Sequence, residues 1–223
     1  LSVVTSTPQA SIRLGRPQKG TEGEAASRIL AAAKPIFFRE GFEATSIEAI
    51  ASAASVSKKT IYTRFDSKED LFEAVVVRNI EDNVPMVERA AAEDGPVAER
   101  LLRIATVTLD IALTPDCIAM RRIIVSEAAR SPAFARRLHD DGVARVIPLI
   151  ERCLEDGNAS GEIAVGDVRN VADLFLGLAI RGFVEKAELG LEGPGLTHLK
   201  REALKRAIDF FMLACRRAPP NRT

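Results

Sequence analysis

Several features that mark whole classes of protein are missing from this chain of 223 residues. Lysine plus arginine equals aspartate plus glutamate, at 31 each, so overall charge gives no support for a nucleic-acid partner and any such case rests on local charge. No apolar run reaches the roughly 18 residues that a membrane span needs. Residues 1–12 are mixed and polar and lack the charged start and apolar stretch of a signal peptide, so a cytoplasmic location is expected. Cysteine is sparse and odd in number. Cys117, Cys153 and Cys215 lie too far apart for a metal-ligand cluster and fit reduced thiols better than a disulfide framework. There is no GxSxG, no phosphate-cradling glycine loop and no HExxH, and His139 and His198 stand alone. An enzyme, a bound metal and a cofactor are therefore not expected. Strand-like alternation of useful length and internal repeats are also absent.

What is present is helical periodicity. Hydrophobic residues make up 47% of the chain, enough for a buried core. The stretch from Thr45 to Leu71 organises the rest. Thr45 followed by Glu48 has the capping-box pattern, and Ile47, Ile50, Ala51 and Ala54 recur at helical spacing. Ser57 can cap a second short helix, with Ile61 and Phe65 on its buried side. Ser67 can cap a third, opened by Leu71. The outward side of the second short helix carries Lys58, Lys59, Thr60, Tyr62, Thr63 and Arg64, which are donors and one aromatic without an acid. Such a face suits the DNA major groove, where Lys and Arg meet phosphate or guanine and Thr meets the thymine methyl. A merely solvated cationic face has the same composition.

The runs GFEATS (41–46), VSKKTIYTRF (56–65) and SKEDLF (67–72), with Ile29–Ala33 and Phe37 upstream, resemble the DNA-binding domain of the TetR family of transcriptional regulators. The resemblance covers about 45 residues in the family's order. It implies an all-α protein of about nine helices: a three-helix helix-turn-helix domain followed by a helical ligand-binding and dimerisation domain. The expected division is a flexible basic arm (1–20), the DNA-binding domain (21–66) and the regulatory domain (67–223). Carried over position by position, Ser57, Lys58, Lys59, Thr60, Tyr62 and Arg64 would face double-stranded DNA, while Thr45 and Lys68 would touch phosphate. In the arm, Arg13, Arg16 and Lys19 are the only charges, and Gly15-Arg16-Pro17 resembles the segment before the first helix in many family members; Arg16 is the candidate minor-groove contact. The family often has Gly where this chain has Ser55, because that turn favours positive φ.

Beyond residue 71 the resemblance is looser. Pro35 lies inside the expected first helix, and Pro85 is expected to bend or end the fourth. Gly142 and Pro148 are expected to interrupt a helix that starts at Ser131-Pro132. The segment Arg121–Pro132 looks like the AefR-like branch of the family and implies a helical domain able to hold a small effector. Leu101, Ile104, Met120, Phe134 and Phe175 are candidates for its lining on apolarity alone. Near the C-terminus, Leu174, Phe175 and Leu178 on one helix and Leu204, Ile208 and Phe211 on the last form apolar faces, with Gly177, Ala179 and Gly182 allowing close approach. The family's four-helix dimer bundle would use them, making the chain a homodimer. The expectation is a repressor that binds a palindromic operator as a dimer and is released by a small hydrophobic effector. The alternative is a helical protein-interaction module whose helix-turn-helix no longer binds DNA.

Overall fold

The computed structural model describes residues 19–216, so Arg13 and Arg16 lie outside the described residues. Among those described there are nine continuous helices and no strand. The first, α1 (Lys19–Glu40), runs through Pro35 and stops at Gly41, whose φ of +84° lets its N–H return to the Phe37 carbonyl at 2.8 Å. Two short helices follow, α2 (Ile47–Ala53) and α3 (Lys58–Tyr62). The cap of α2 is Ser46, not Thr45: the Ser46 hydroxyl accepts from the Ala49 N–H at 3.1 Å. Thr45 turns inward, 3% exposed, and its hydroxyl donates to the Gly41 carbonyl at 2.7 Å. Two adjacent hydroxyl residues compete for one cap, and the exposed carbonyl at the end of α1 decides between them.

The long α4 (Lys68–Ala92) is capped by Ser67 and continues past Pro85, which does not end it. Pro85 is exposed between buried Val84 and Val87, so packing on the opposite side holds the helix across the missing hydrogen bond. Next come α5 (Val97–Ala112) and α6 (Pro115–Glu127), the latter capped by Thr114. Pro132–Arg137, a π turn over Leu138–Val143 and Ala144–Ser160 join without a break as α7. Gly142 and Pro148 therefore do not interrupt the helix; the irregularity is absorbed by one wide turn. Val168–Leu176, a second π turn over Gly177–Arg181 and Gly182–Glu188 form α8 in the same way, and α9 (His198–Cys215) closes the fold.

Packing produces two cores. One joins α1, α2, α3 and α4 as far as Val84 to Met120, Ile123 and Ile124 of α6 and Phe134 of α7. At its centre Phe37, Phe42, Phe72 and Phe134 meet mostly edge to face, with Phe72 and Phe134 centroids 4.8 Å apart. This core continues well past residue 66. The other joins α5, α7, α8 and α9, where Phe175 and Phe211 pack at 5.0 Å. Here α7 presses so close to the start of α5 that a Cβ on Gly157 would lie 2.4 Å from Val97 Cγ2. Both carboxylate oxygens of Glu162 accept the Val97 N–H, at 2.9 and 3.1 Å, satisfying the first turn of α5.

Candidate nucleic-acid interface and cavity

The outward face of α3 is held by local devices. Ser57 accepts the Thr60 N–H at 3.0 Å, and Ile61 anchors the inner side at 0% exposure. The turn before it passes through Ser55 at φ +54°, the one non-glycine residue with positive φ among those described. Val56 N–H then reaches back to the Ala51 carbonyl at 2.9 Å, fixing α3 against α2. The candidate contact residues differ in what they already bind. Lys59 is exposed and Tyr62 is half exposed, and neither side chain has a hydrogen-bond partner among the described residues. Lys58 pairs with Glu48 at 2.5 Å, which holds the lysine above and the glutamate below their ordinary ranges through the shared hydrogen bond. Thr60 shares its hydroxyl with Ser57 at 2.9 Å. Arg64 folds back to donate to the Thr60 carbonyl at 3.1 Å.

Thr45 and Lys68, expected at phosphate, are placed otherwise. Thr45 is buried as described above. The Lys68 ammonium donates to the carbonyls of Phe42, Glu43 and Thr45 at 2.9–3.3 Å and lies 4.6 Å from the Phe42 ring centre. It ties the start of α4 to the loop before α2, a role that sequence spacing does not distinguish from phosphate binding.

Between α4, α5, α6, α7 and α8 lies a cavity of about 400 Å³. Its wall is mostly apolar, including Ile80, Val84, Val146, Ile180 and Val184, with Asn79, Asn83, Thr108, Cys117, Arg121 and Glu188 as polar members. Of the five lining candidates only Met120 is there. Leu101, Ile104 and Phe175 fill the second core at 0–1% exposure, and Phe134 fills the first at 0%. An inward apolar stripe looks the same whether the space it faces is filled or hollow. Both π turns border the cavity, through Leu138, Gly142 and Val143 on α7 and Ile180 and Arg181 on α8. Arg121 donates to the Glu188 carboxylate, and Arg122 donates to the Glu188 and Ala187 carbonyls at 2.8 and 3.0 Å, fastening α6 to the end of α8. Cys117 is buried at the wall, facing the Asn79 amide at 3.6 Å.

The expected dimer faces also need correction. Phe175, Leu204, Ile208 and Phe211 are 0–6% exposed within their own subunit's core, as is Ala179 at 1%. The outward apolar residues include Leu174 and Leu178 on α8, with Phe210 and Leu213 on α9, which periodicity does not single out. Both helices are apolar on two sides, so periodicity alone could not say which side faces out. A Cβ at Gly177 or Gly182 would meet nothing within 4 Å, leaving open surface beside the α8 leucines.

A capped helix-turn-helix joined to a helical domain around a cavity defines a regulator of transcription in class. The comparisons agree. Residues 29–75 match the model of the bacterial regulatory proteins of the tetR family, and residues 99–216 match the C-terminal domain of AefR-like transcriptional repressors. The chain belongs to the TetR family of helix-turn-helix transcriptional regulators, which are DNA-binding proteins. Among solved structures, it is similar to the flavonoid-responsive regulator FrrA at 31% identity, over 88% of this chain and 100% of that one, with a TM-score of 0.68. A TetR-family regulator from Mesorhizobium loti shares the fold with a TM-score of 0.78 at 23% identity, over 86% and 97% of the two chains. The regulator YvkB of Bacillus subtilis is 26% identical over 73% of this chain and 83% of its own length. No described helix is long and apolar enough to cross a membrane.

Proposed function

We propose that this protein is a cytoplasmic repressor that binds a palindromic operator as a homodimer and is released when a small molecule occupies the cavity. The observation that carries this reading is shared walls: Ile80, Val84 and Met120 border the cavity and also belong to the core that supports α3. A molecule that changes their packing acts on the seat of the DNA-reading helix without touching it. For tenfold weaker operator binding, the effector must favour the released conformer by at least about 1.4 kcal/mol. Lys59 and Tyr62 are the contacts best supported by exposure, with Ser57, Lys58, Thr60 and Arg64 around them; Lys58 and Arg64 would first leave their intramolecular partners. The dimer contact is assigned to Leu174, Leu178, Phe210 and Leu213, whose exposed apolar surface lies on the outward sides of α8 and α9. Two reading heads would then address half-sites about one helical turn of DNA, or a multiple, apart. The flavonoid response named for FrrA supports a small organic effector for this cavity.

Operator fragments selected from genomic DNA test the reading by electrophoretic shift. Lys59→Ala/Tyr62→Ala should weaken binding at least tenfold with an unchanged melting temperature. Leu174→Glu/Phe210→Glu should sediment as a monomer and lose the shifted band. Full DNA binding by either variant removes the corresponding assignment.

A further inference from the structure

The polar groups on the cavity wall are unequally committed. The Asn83 side-chain N–H donates to the Asn79 carbonyl at 2.6 Å; the acceptor is a backbone oxygen, so this fixes which way the Asn83 amide points. The Asn79 side-chain amide nitrogen faces the Cys117 sulfur at 3.6 Å. The Thr108 hydroxyl donates to the Ile104 carbonyl at 2.7 Å. Each of these three donors is used, while the Oδ1 of Asn79, the Oδ1 of Asn83 and the remaining lone pairs of Thr108 Oγ1 receive no hydrogen bond among the described residues. Asn79 is only 4% exposed, yet its Oδ1 is not sealed from solvent, so it opens on the cavity, where water or a bound molecule can donate to it.

The charges argue in the same direction. Arg121 is matched by Glu188, and Arg181 is drawn to Asp173 at 2.7 Å. Both wall arginines are thus matched, and Glu185 has no ion pair among the described residues, so the wall offers an anion no unmatched cation and one free carboxylate. From these observations we infer that the cavity takes an uncharged, largely apolar molecule bearing one or more hydroxyl groups, which donate to Asn79, Asn83 and Thr108. The inference rests on the effector role proposed above and specifies its chemistry: phenols and other neutral alcohols are favoured, and carboxylates or other anions are disfavoured. Discrimination comes from these acceptors, because an analogue that cannot donate leaves them without a partner in an otherwise apolar wall.

Calorimetric titration of the full chain, without DNA, with three probes of one shape tests this directly: 4-hydroxybiphenyl, 4-methoxybiphenyl and biphenyl-4-carboxylate. The hydroxyl compound should bind roughly fivefold to tenfold more tightly than the methoxy compound, the return from one buried hydrogen bond, and more tightly than the carboxylate. In Asn83→Leu combined with Asn79→Leu, its affinity should fall to that of the methoxy compound. The probe series on the unaltered chain stands by itself if the double variant fails to fold. Equal binding of hydroxyl and methoxy probes, tighter binding of the carboxylate, or an advantage that survives the double substitution would overturn the inference and leave the effector role in place. Binding of none of the three would overturn both, while operator binding remains separately measurable by electrophoretic shift.

Discussion

On α3, Lys59 and Tyr62 stand clear of any side-chain partner among the described residues, while on and beside the cavity wall Arg121, Arg122 and the amide nitrogens of Asn79 and Asn83 are engaged within the chain. The reading head leaves these two outward groups free and orders its backbone through the Ser46, Ser57 and Ser67 caps. The sensory half does the reverse: side chains clamp helices to one another around a hollow. A surface that must meet an external polymer gains from uncommitted donors on a rigid support, because ordering costs are met before binding. A wall that must respond to a small molecule gains from linked side chains that one ligand can disturb together.

The contrast can be broken most severely where the halves join. Phe134→Ala removes the ring that α7 inserts between Phe42 and Phe72, and should destabilise the protein by about 3–5 kcal/mol in chemical denaturation. A loss confined to the sensory half in hydrogen exchange would show that the joint is not where the aromatic contacts put it. Gly157→Ala acts inside the sensory half alone. Its Cβ would collide with Val97, and a cost of about 1–3 kcal/mol is expected with operator affinity per folded molecule unchanged. Ser55→Gly acts inside the reading head alone and should raise stability by about 1 kcal/mol, because glycine adopts φ +54° without the Cβ penalty.

A further expected effect concerns pH. Burial pushes the Cys153 thiol from its ordinary 9.0 up to about 11, with nearby Arg100 opposing the shift. The folded chain keeps that proton to higher pH than the unfolded chain. Stability should therefore decline as pH rises from 9.0, with the decline levelling off beyond about 11. Denaturation midpoints across this range in reducing buffer should fall less steeply for Cys153→Ser; identical slopes would exclude the thiol as a cause.

The DNA-binding half was largely legible in the sequence because its determinants are local. Ser57 and Ser67 cap the helices they precede, and Ile50 and Ile61 point inward as their spacing requires. At Thr45 and Lys68 the structure shows what spacing does not record, a side chain bonded to a backbone carbonyl across a loop. In the sensory half the helices were legible, but their inner and outer faces were not. Leu174 and Phe175 are neighbours of similar hydropathy, yet one is 60% exposed and the other fully buried. Phe134 reads as a cavity residue from its apolarity alone; its partners Phe42 and Phe72 lie more than sixty positions away, and only the tertiary arrangement brings them together.

The two wide turns at Leu138–Val143 and Gly177–Arg181 give the hollow a built-in reserve of length. Each packs a surplus residue into one loop of a helix. Deleting that residue would draw the backbone in to ordinary pitch and remove the bulge from the chamber wall, while the flanking helical faces keep their register. Two single-residue excesses in the chain thus border this chamber, and a one-codon deletion at either would change its outline without altering the chemistry of the rest of its lining.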